Sequence, residues 1–154
     1  MTQVKVVSGL PGSGKSTYVR DHIGTNDLVF DYDELMSAMT YSPKHMDNSV
    51  AHEYVLAIRK NMLDLCAVDS SVVDTLWIIK TIPDAQFRDT FYDYPFAVEY
   101  LFIPATVAEC MEHIAKDKER IDTNKDWFAM LNKIDADGRA GAYNMCRPVY
   151  NIEL

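Results

Sequence analysis

The chain has 154 residues, of which 48% are hydrophobic and 25% are charged, and this composition argues against a disordered, collagenous or membrane-embedded protein. The net charge of −8 disfavours sequence-independent binding to nucleic acid or anionic lipid, so an anionic substrate needs a local basic site. Cys66, Cys110 and Cys146 are widely spaced and indicate neither a disulfide framework nor a zinc site. We therefore expect one domain, residues 1–154, in a reducing cytoplasm.

Strands and helices are predicted to alternate along the chain. Short β-branched or apolar runs predict the strands, and apolar residues at spacings of three and four predict the helices. The predicted elements are, in chain order, a strand at Val4–Val7, a helix at Lys15–His22, a strand at Leu28–Asp31, helices at Glu34–Met39 and Asn48–Cys66, a strand at Val72–Asp74, a helix at Pro83–Tyr92, a strand at Ala97–Ile103, and helices at Ala105–Lys116 and Asp126–Ile134. An irregular end follows. No apolar run approaches the roughly 18 to 20 residues of a membrane-spanning helix, so no membrane partner is expected.

This alternation predicts an α/β fold with three layers, in which helices cover both faces of a short, mainly parallel sheet of strand order 2-3-1-4. Ligands of such folds bind beyond the carboxyl ends of the strands. The predicted apolar face of the longest helix consists of Val50, Tyr54, Ile58, Met62 and Leu65.

Residues Gly9–Ser16, which we call the phosphate loop, spell GLPGSGKS and match the pattern G-x-x-x-x-G-K-[ST] between a predicted strand and a predicted helix. Glycines let backbone N–H groups converge on phosphate oxygens, and the following helix directs the positive end of its dipole at them. We expect Lys15 to reach the β- and γ-phosphates of ATP, Ser16 to bind Mg²⁺ and Thr17 to contact the α-phosphate. The predicted nucleotide-binding residues are Gly9, Pro11, Gly12, Ser13, Gly14, Lys15, Ser16 and Thr17.

Acidic residues follow two of the predicted strands. Asp31, Asp33 and Glu34 cluster after the second strand, and Asp33 is the candidate general base for transfer of a phosphoryl group to a hydroxyl. The alternative is that these acids form the cap and first turn of the next helix, and Asp33 could do both. Asp74 ends the predicted third strand and is a candidate Mg²⁺ ligand, with a capping or loop carboxylate as the alternative.

A charged segment lies between the last two predicted helices. Residues 116–125 occupy the place where kinases of this architecture carry a lid, and they include Lys116, Lys118 and Arg120. Arg120 is the candidate catalytic cation, because its guanidinium offers a fork of donors. A solvated helix end with mixed charges is the alternative. The four histidines have no metal-ligand spacing and are predicted to be surface or packing residues.

The string GLPGSGKSTYVR at Gly9–Arg20 resembles the kinase domain of phage polynucleotide 5′-kinase. The resemblance continues at Asp33, which matches the family's catalytic aspartate, at the Asp74-Thr75 pair, and at the Pro-Val-Tyr-Asn string of Pro148–Asn151. Together these matches cover most of the chain at low overall similarity. They imply a P-loop kinase fold with a small lid. If a phage encodes the protein, we expect it in the host cytoplasm.

In the family that the chain resembles, a 5′-hydroxyl of DNA or RNA attacks the γ-phosphate of ATP. The resemblance implies that Asp33 activates this hydroxyl and that lid arginines stabilise the reacting phosphates. It also implies a difference in specificity, because Met36 occurs where the family has an arginine that binds the substrate's 3′-phosphate. Little preference for a 3′-phosphorylated acceptor is therefore expected.

Three functional hypotheses follow from these residues. The first is an ATP- and Mg²⁺-dependent kinase that acts on the 5′-hydroxyl of a nucleic acid or nucleotide. The second keeps the same machinery and changes the acceptor to a hydroxymethyl-pyrimidine in phage DNA or to a small metabolite. The third is an ATP-binding or ATPase module without a transfer acceptor. The sequence identifies neither the acceptor nor the oligomeric state.

Overall fold

The computed structural model describes residues 1–46, 48–121 and 125–151. Within these residues the strands and helices alternate as the sequence predicts. The elements are, in chain order, β1 (Gln3–Ser8), α1 (Lys15–His22), β2 (Leu28–Phe30), α2 (Tyr32–Thr40), α3 (Ser49–Cys66), β3 (Thr75–Lys80), α4 (Ala85–Asp89), β4 (Val98–Phe102), α5 (Val107–Ala115), α6 (Lys118–Ile121), α7 (Trp127–Ala140), a 3₁₀ helix (Ala142–Met145) and β5 (Arg147–Pro148).

The strands form one parallel sheet in the order β2-β3-β1-β4-β5. β1 lies at the centre, with β3 on one side and β4 on the other. Val4, Val6 and Val7 of β1 have no exposed surface, as expected for a strand that is covered on both faces. The predicted order 2-3-1-4 is confirmed for the first four strands. β5 is added beside β4, where the sequence predicted an irregular end.

Helices cover the two faces of the sheet and form separate cores. Val4 and Val6 pack with α2, α3 and α4 on one face, in a core that includes Met36. Val7 points to the opposite face and packs with Tyr18 and other residues around α1. A third core joins the phosphate loop to α5 and α7. The predicted three-layer α/β class is confirmed. None of the helices in the described part of the chain has the length and apolar character that crossing a membrane requires.

The third strand lies later in the chain than predicted. The side chain of Val72 is 84% exposed, whereas Leu76, Trp77 and Ile78 are buried in β3. The prediction of a strand at Val72–Asp74 is wrong because a central parallel strand, buried on both faces, needs a longer apolar run than two valines. The shift moves the C-terminal end of this strand from Asp74 to Lys80, which pairs with Ser8 beside the phosphate loop.

The buried face of α3 also differs from the predicted face. The buried side chains are Ala51, Val55, Leu63 and Cys66. Val50 and Tyr54, two residues of the predicted face, are 77% and 64% exposed. Because helix positions four residues apart share a face, the stripe that contains Val55 and Leu63 also contains position 59. The residue at this position is Arg59.

Candidate active site

The phosphate loop connects β1 to α1, and its glycines adopt backbone conformations that other residues rarely reach. Gly12 and Gly14 have φ values of 80° and 97°, in the left-handed region. A Cβ atom on Gly12 would lie 3.0 Å from the carbonyl oxygen of Cys110 in α5, and one on Gly14 would lie 2.4 Å from Nδ2 of Asn151. The positive φ therefore favours glycine at both positions, and at Gly12 the backbone of α5 also leaves little room for a side chain.

Lys15 is the first residue of α1 and lies against the phosphate loop. Its Nζ donates hydrogen bonds to the carbonyl oxygens of Gly9 at 2.8 Å and Leu10 at 2.9 Å. Burial, together with the nearby charge of Arg120, lowers the pKa of Lys15 to about 8. The side chain of Lys15 is half-buried.

Asp31 follows β2 and contacts both α1 and α2. It is the N-cap of α2, where Oδ1 accepts a hydrogen bond from the N–H of Glu34 at 3.4 Å. Its Oδ2 accepts a hydrogen bond from the hydroxyl of Ser16, also at 3.4 Å. Burial raises the pKa of Asp31, and the neighbouring charge of Asp33 acts in the same direction. Asp31, and not Asp33, is therefore the capping acid.

Asp33 lies in the first turn of α2 and faces the loop that follows this helix. Its Oδ2 is 3.1 Å from Nδ1 of His45, whose side chain is 12% exposed. Burial acts to raise the pKa of Asp33, but the hydrogen bond and charge of His45, with Arg120 and Lys15, hold this pKa below its usual value. Asp33 is therefore a carboxylate at neutral pH. His45 was predicted to be a surface or packing residue, and its contact with Asp33 corrects that prediction.

Arg120 belongs to α6, in the predicted lid. Its side chain is 17% exposed and lies 3.6 Å from the carboxylate of Asp117. The guanidinium carbon is 5.7 Å from the centre of the Trp127 ring, and Nε1 of Trp127 donates a hydrogen bond to the Arg120 carbonyl oxygen at 2.9 Å. Lys116 and Lys118, the other two lid candidates, are exposed. Residues 122–124 of the predicted lid lie outside the described residues.

A contact between α6 and the loop after α2 joins the two sides of the site. The backbone N–H of Lys44 donates a hydrogen bond to Oε2 of Glu119 at 3.1 Å. The ammonium group of Lys44 also lies 2.8 Å from Glu34 in α2 and 3.9 Å from Glu119. These contacts hold the segment that carries Arg120 close to the segment that carries His45.

A cavity of about 1130 Å³ brings these groups together at the carboxyl ends of the strands. Its lining includes Lys15, Ser16, Asp33 and Arg120. The three predicted catalytic residues, Lys15, Asp33 and Arg120, therefore line one cavity. Most of the phosphate loop lines the same cavity, as does Thr17. The nucleotide-binding and catalytic residues predicted from separate parts of the sequence are therefore adjacent in space.

Two residues singled out in the sequence lie elsewhere. Asp74 precedes β3, and its carbonyl oxygen accepts a hydrogen bond from the N–H of Gln3 at the start of β1. A six-residue strand separates it from the phosphate loop by about 17 Å, so a Mg²⁺ ion on Ser16 is out of its reach. The predicted metal role of Asp74 is therefore wrong. Met36 is 5% exposed, packs in the core and does not line the cavity.

Sequence reasoning missed several residues of the site. Arg59, Lys80 and His45 line the cavity, and Asn151 donates a hydrogen bond from Nδ2 to the carbonyl oxygen of Gly14 at 3.2 Å. In the sequence, the Pro-Val-Tyr-Asn string that includes Asn151 carries a resemblance to a family but indicates no role in the site. One signal for Arg59 was present in the sequence, because a charged residue spaced four positions from Val55 and Leu63 interrupts an apolar stripe.

Solved structures are similar to this fold at low sequence identity. An unliganded sugar kinase from Janibacter sp. HTCC2649 is 18% identical over 98% of this chain and 85% of its own, with a TM-score of 0.57. A shikimate kinase from Acinetobacter baumannii, in complex with shikimate, is 16% identical over 100% of this chain and 84% of its own, with a TM-score of 0.58.

A chain of the Pnkp1/Rnl/Hen1 RNA repair complex is 15% identical over 86% of this chain and 45% of its own, with a TM-score of 0.61. No protein-family model matches the chain, and no curated protein sequence is similar to it. At these identities the similarity shows the fold alone. The predicted α/β fold is confirmed, since this chain shares it with the sugar kinase and the shikimate kinase.

Proposed function

We propose that residues 1–154 form one kinase domain, which transfers the γ-phosphate of ATP to a hydroxyl group with the help of Mg²⁺. The observation that carries this proposal is the meeting of Lys15, Asp33 and Arg120 in one cavity above the phosphate loop. A phosphate-binding loop, an oriented carboxylate and a cation are the parts that phosphoryl transfer to an alcohol requires.

The phosphate loop and Lys15 bind the nucleotide phosphates in this proposal. The loop N–H groups and the N-terminus of α1 face the phosphate oxygens, so anion binding needs no basic surface elsewhere on the acidic chain. Lys15 now donates to the carbonyl oxygens of Gly9 and Leu10, and these bonds hold its ammonium group beside the loop. A phosphate oxygen replaces one of these acceptors when ATP binds.

Ser16 and Asp31 are the residues that fit a Mg²⁺ ion. A hydroxyl oxygen and a carboxylate lie 3.4 Å apart beside the phosphate loop, and Mg²⁺ prefers oxygen ligands of these kinds together with water and phosphate oxygens. Bound there, Mg²⁺ would neutralise charge on the β- and γ-phosphates of ATP. Asp31 replaces Asp74 as the carboxylate of this proposed site.

Asp33 accepts a hydrogen bond from the attacking hydroxyl and takes its proton as the hydroxyl oxygen bonds to the γ-phosphorus. The bond between the γ-phosphorus and the β–γ bridging oxygen breaks in the same step, and ADP leaves. His45 holds the carboxylate in place through Oδ2, which leaves Oδ1 for the acceptor. Arg120 meets the negative charge that develops on the transferring group, while Trp127 packs against its guanidinium and limits its motion.

The acceptor that we favour is the 5′-hydroxyl of a nucleic acid or nucleotide. Support comes from the resemblance of Gly9–Arg20, Asp33 and Pro148–Asn151 to phage polynucleotide 5′-kinase, and from the similarity in fold to a chain of an RNA repair complex. A small hydroxylated metabolite is the second candidate, which the acidic composition favours and which sugar and shikimate kinases of the same fold use.

A transfer assay with radiolabelled ATP and Mg²⁺ tests the proposal. The acceptors offered are 5′-hydroxyl oligonucleotides, hydroxymethylated DNA, nucleosides, sugars and shikimate. Lys15→Ala should abolish transfer and leave the fold intact, and Lys118→Ala, which removes an exposed lysine of the lid, is the matched control. Wild-type turnover in Lys15→Ala would refute the proposal, and ATP hydrolysis without transfer to any acceptor would favour an ATPase.

A further inference from the structure

Arg59 occupies a position of α3 that the helix otherwise uses for apolar packing. Val55 and Leu63, four residues before and after it, have no exposed surface. The guanidinium therefore starts from the buried side of the helix and reaches the cavity. Arg59 is half-buried in this apolar stripe, and burial of a charged group costs free energy unless a partner compensates the charge.

Lys80 joins Arg59 on a shared aromatic platform. The guanidinium carbon of Arg59 lies 5.3 Å from the centre of the Phe87 ring, and Nζ of Lys80 lies 5.2 Å from it. Phe87 is itself 5% exposed and fixed in α4. Two cations thus converge on one rigid ring at the wall of the cavity, each held by a cation–π contact.

The two cations have no ion pair with a carboxylate among the residues that the structure describes. The nearby Asp84 carboxylate caps α4, where Oδ1 accepts a hydrogen bond from the N–H of Phe87 at 2.9 Å. Burial lowers the pKa of Lys80, and the like charge of Arg59 lowers it further, with Asp84 opposing them. Burial also lowers the pKa of Arg59. An anion placed against both groups would relieve this repulsion.

The sheet order places this pair on the same side of the phosphate loop as Asp33. Lys80 ends β3, Asp33 follows β2, and these two strands are neighbours, whereas β4 and its helix α5 lie on the other side of β1. The charges that act on Lys80 are those of Arg59 and Asp84, while those that act on Lys15 include Arg120 and Asp33. The charges that most affect these two lysines therefore come from different groups.

We propose that Arg59 and Lys80 bind an anionic group of the acceptor, a phosphate monoester or a carboxylate, while the acceptor's hydroxyl lies at Asp33. This inference rests on the proposed function and adds the chemical class of the substrate: a hydroxyl compound that carries a second, anionic group. It also reverses the expectation, based on Met36, of little preference for a 3′-phosphorylated acceptor. Arg59 and Lys80 would bind the anionic group in place of the family's arginine.

Equilibrium binding tests this site with the phosphate loop already filled. The protein is first titrated to saturation with Mg²⁺ and the non-hydrolysable ATP analogue AMP-PNP. This first titration tests only the nucleotide binding that the proposed function requires. Matched pairs of acceptors are then titrated into the loaded protein by calorimetry. Thymidine 3′-monophosphate is compared with thymidine, and gluconate with glucose, so the two pairs separate phosphate from carboxylate recognition.

Wild-type protein should bind the anionic member of at least one pair ten times more tightly than the neutral member. Arg59→Gln and Lys80→Gln should each reduce this ratio to threefold or less without weakening the binding of AMP-PNP. Lys60→Gln removes an exposed charge one residue away on α3, so it should keep the wild-type ratio. If Arg59→Gln unfolds, Arg59→Lys retains the charge without the fork, and Lys80→Gln still decides the question.

Equal binding of charged and neutral members by the wild-type protein would overturn the inference, as would unchanged ratios in both variants. Weaker AMP-PNP binding in Arg59→Gln and Lys80→Gln, with the acceptor ratio intact, would assign the pair to the nucleotide phosphates and also overturn it. If AMP-PNP does not bind wild-type protein, the proposed function fails in the first titration, and the same variants compared without the analogue still test the anion site.

Discussion

Nδ1 of His45 lies 3.1 Å from Oδ2 of Asp33. Asp33 is in the first turn of α2, whereas His45 lies in the loop after the end of this helix. His45 also has a φ of 68° and lies edge-on to Trp127, with ring centres 6.1 Å apart. A histidine in this arrangement acts on the carboxylate rather than on bulk solvent. It restricts the orientation of Asp33 and favours its ionised form.

Replacing His45 should shift the pH dependence of the reaction. His45→Asn tolerates the positive φ but removes a group that lowers the pKa of Asp33, so that pKa should rise. Because only ionised Asp33 accepts a proton, the acidic limb of the kcat/KM profile should move to higher pH, with a small loss at pH 7. Profiles between pH 4 and 8 measure this shift. If the acidic limb lies at the same pH in wild type and His45→Asn, His45 does not affect the ionisation of Asp33 and has only a packing role.

Replacing Asp33 tests the general base. Asp33→Asn retains the shape and loses the carboxylate, and because Asp31 caps the helix, the melting temperature should change little. Transfer should fall by roughly 10²–10⁴, the usual range for a general base. Steady-state kinetics and thermal unfolding of the same preparation measure both effects. A large loss of stability with normal specific activity would instead show a structural role.

Replacing Asp31 and Asp74 in turn tests which of these two carboxylates binds Mg²⁺. Asparagine at position 31 still caps a helix but is a weaker ligand for Mg²⁺, so Asp31→Asn should raise the Mg²⁺ concentration at half-maximal rate by roughly 10-fold. Asp74→Asn should leave it unchanged, because Asp74 lies at the far end of β3. Mg²⁺ titrations at fixed ATP measure both values, and the opposite pattern would restore Asp74 to the site.

The lowered pKa of Lys15 predicts a loss of nucleotide affinity in alkaline solution. In the free protein Lys15 loses its proton as the pH rises through about 8. Phosphate binding needs the charged form and raises this pKa, so affinity for AMP-PNP should decline above pH 8. Lys15→Arg remains charged throughout and should give a flat profile between pH 8 and 10. Fluorescence or calorimetric titration measures the two curves, and parallel declines would assign the effect to another group.

Loss of Arg120 should reduce turnover much more than ATP binding. If the guanidinium meets charge that develops only during transfer, kcat for Arg120→Ala should fall by roughly 10³–10⁵. Arg120→Lys should recover little, because a point charge lacks the planar fork. Lys118→Ala, on the exposed side of the same helix, is the control. A kcat for Arg120→Ala within about threefold of wild type would exclude this role.

Sequence predicted the parts of the site that are local in the chain. The phosphate loop is one such part, since its glycines, Lys15 and Ser16 are held in eight consecutive residues. The prediction for the third strand is wrong because Val72 and Val73 form an apolar pair just before the longer apolar run Leu76–Ile79, and this error also brings Asp74 into the predicted site. His45 and Lys80 were missed because their contacts with Asp33 and Phe87 join different elements of the fold, which a local sequence pattern does not reveal.

Asn151 contacts Gly14 across 137 residues of sequence, so the loop encoded near the start of the chain receives a packing contact from the last described residue. During synthesis such a contact can form only after all of the intervening residues have been made, and closing so long a loop costs conformational entropy. The proposed nucleotide site would therefore be complete only after the chain beyond β5 has been made. Acquisition of nucleotide affinity would then report completion of the whole fold, and partly folded chains would not sequester ATP.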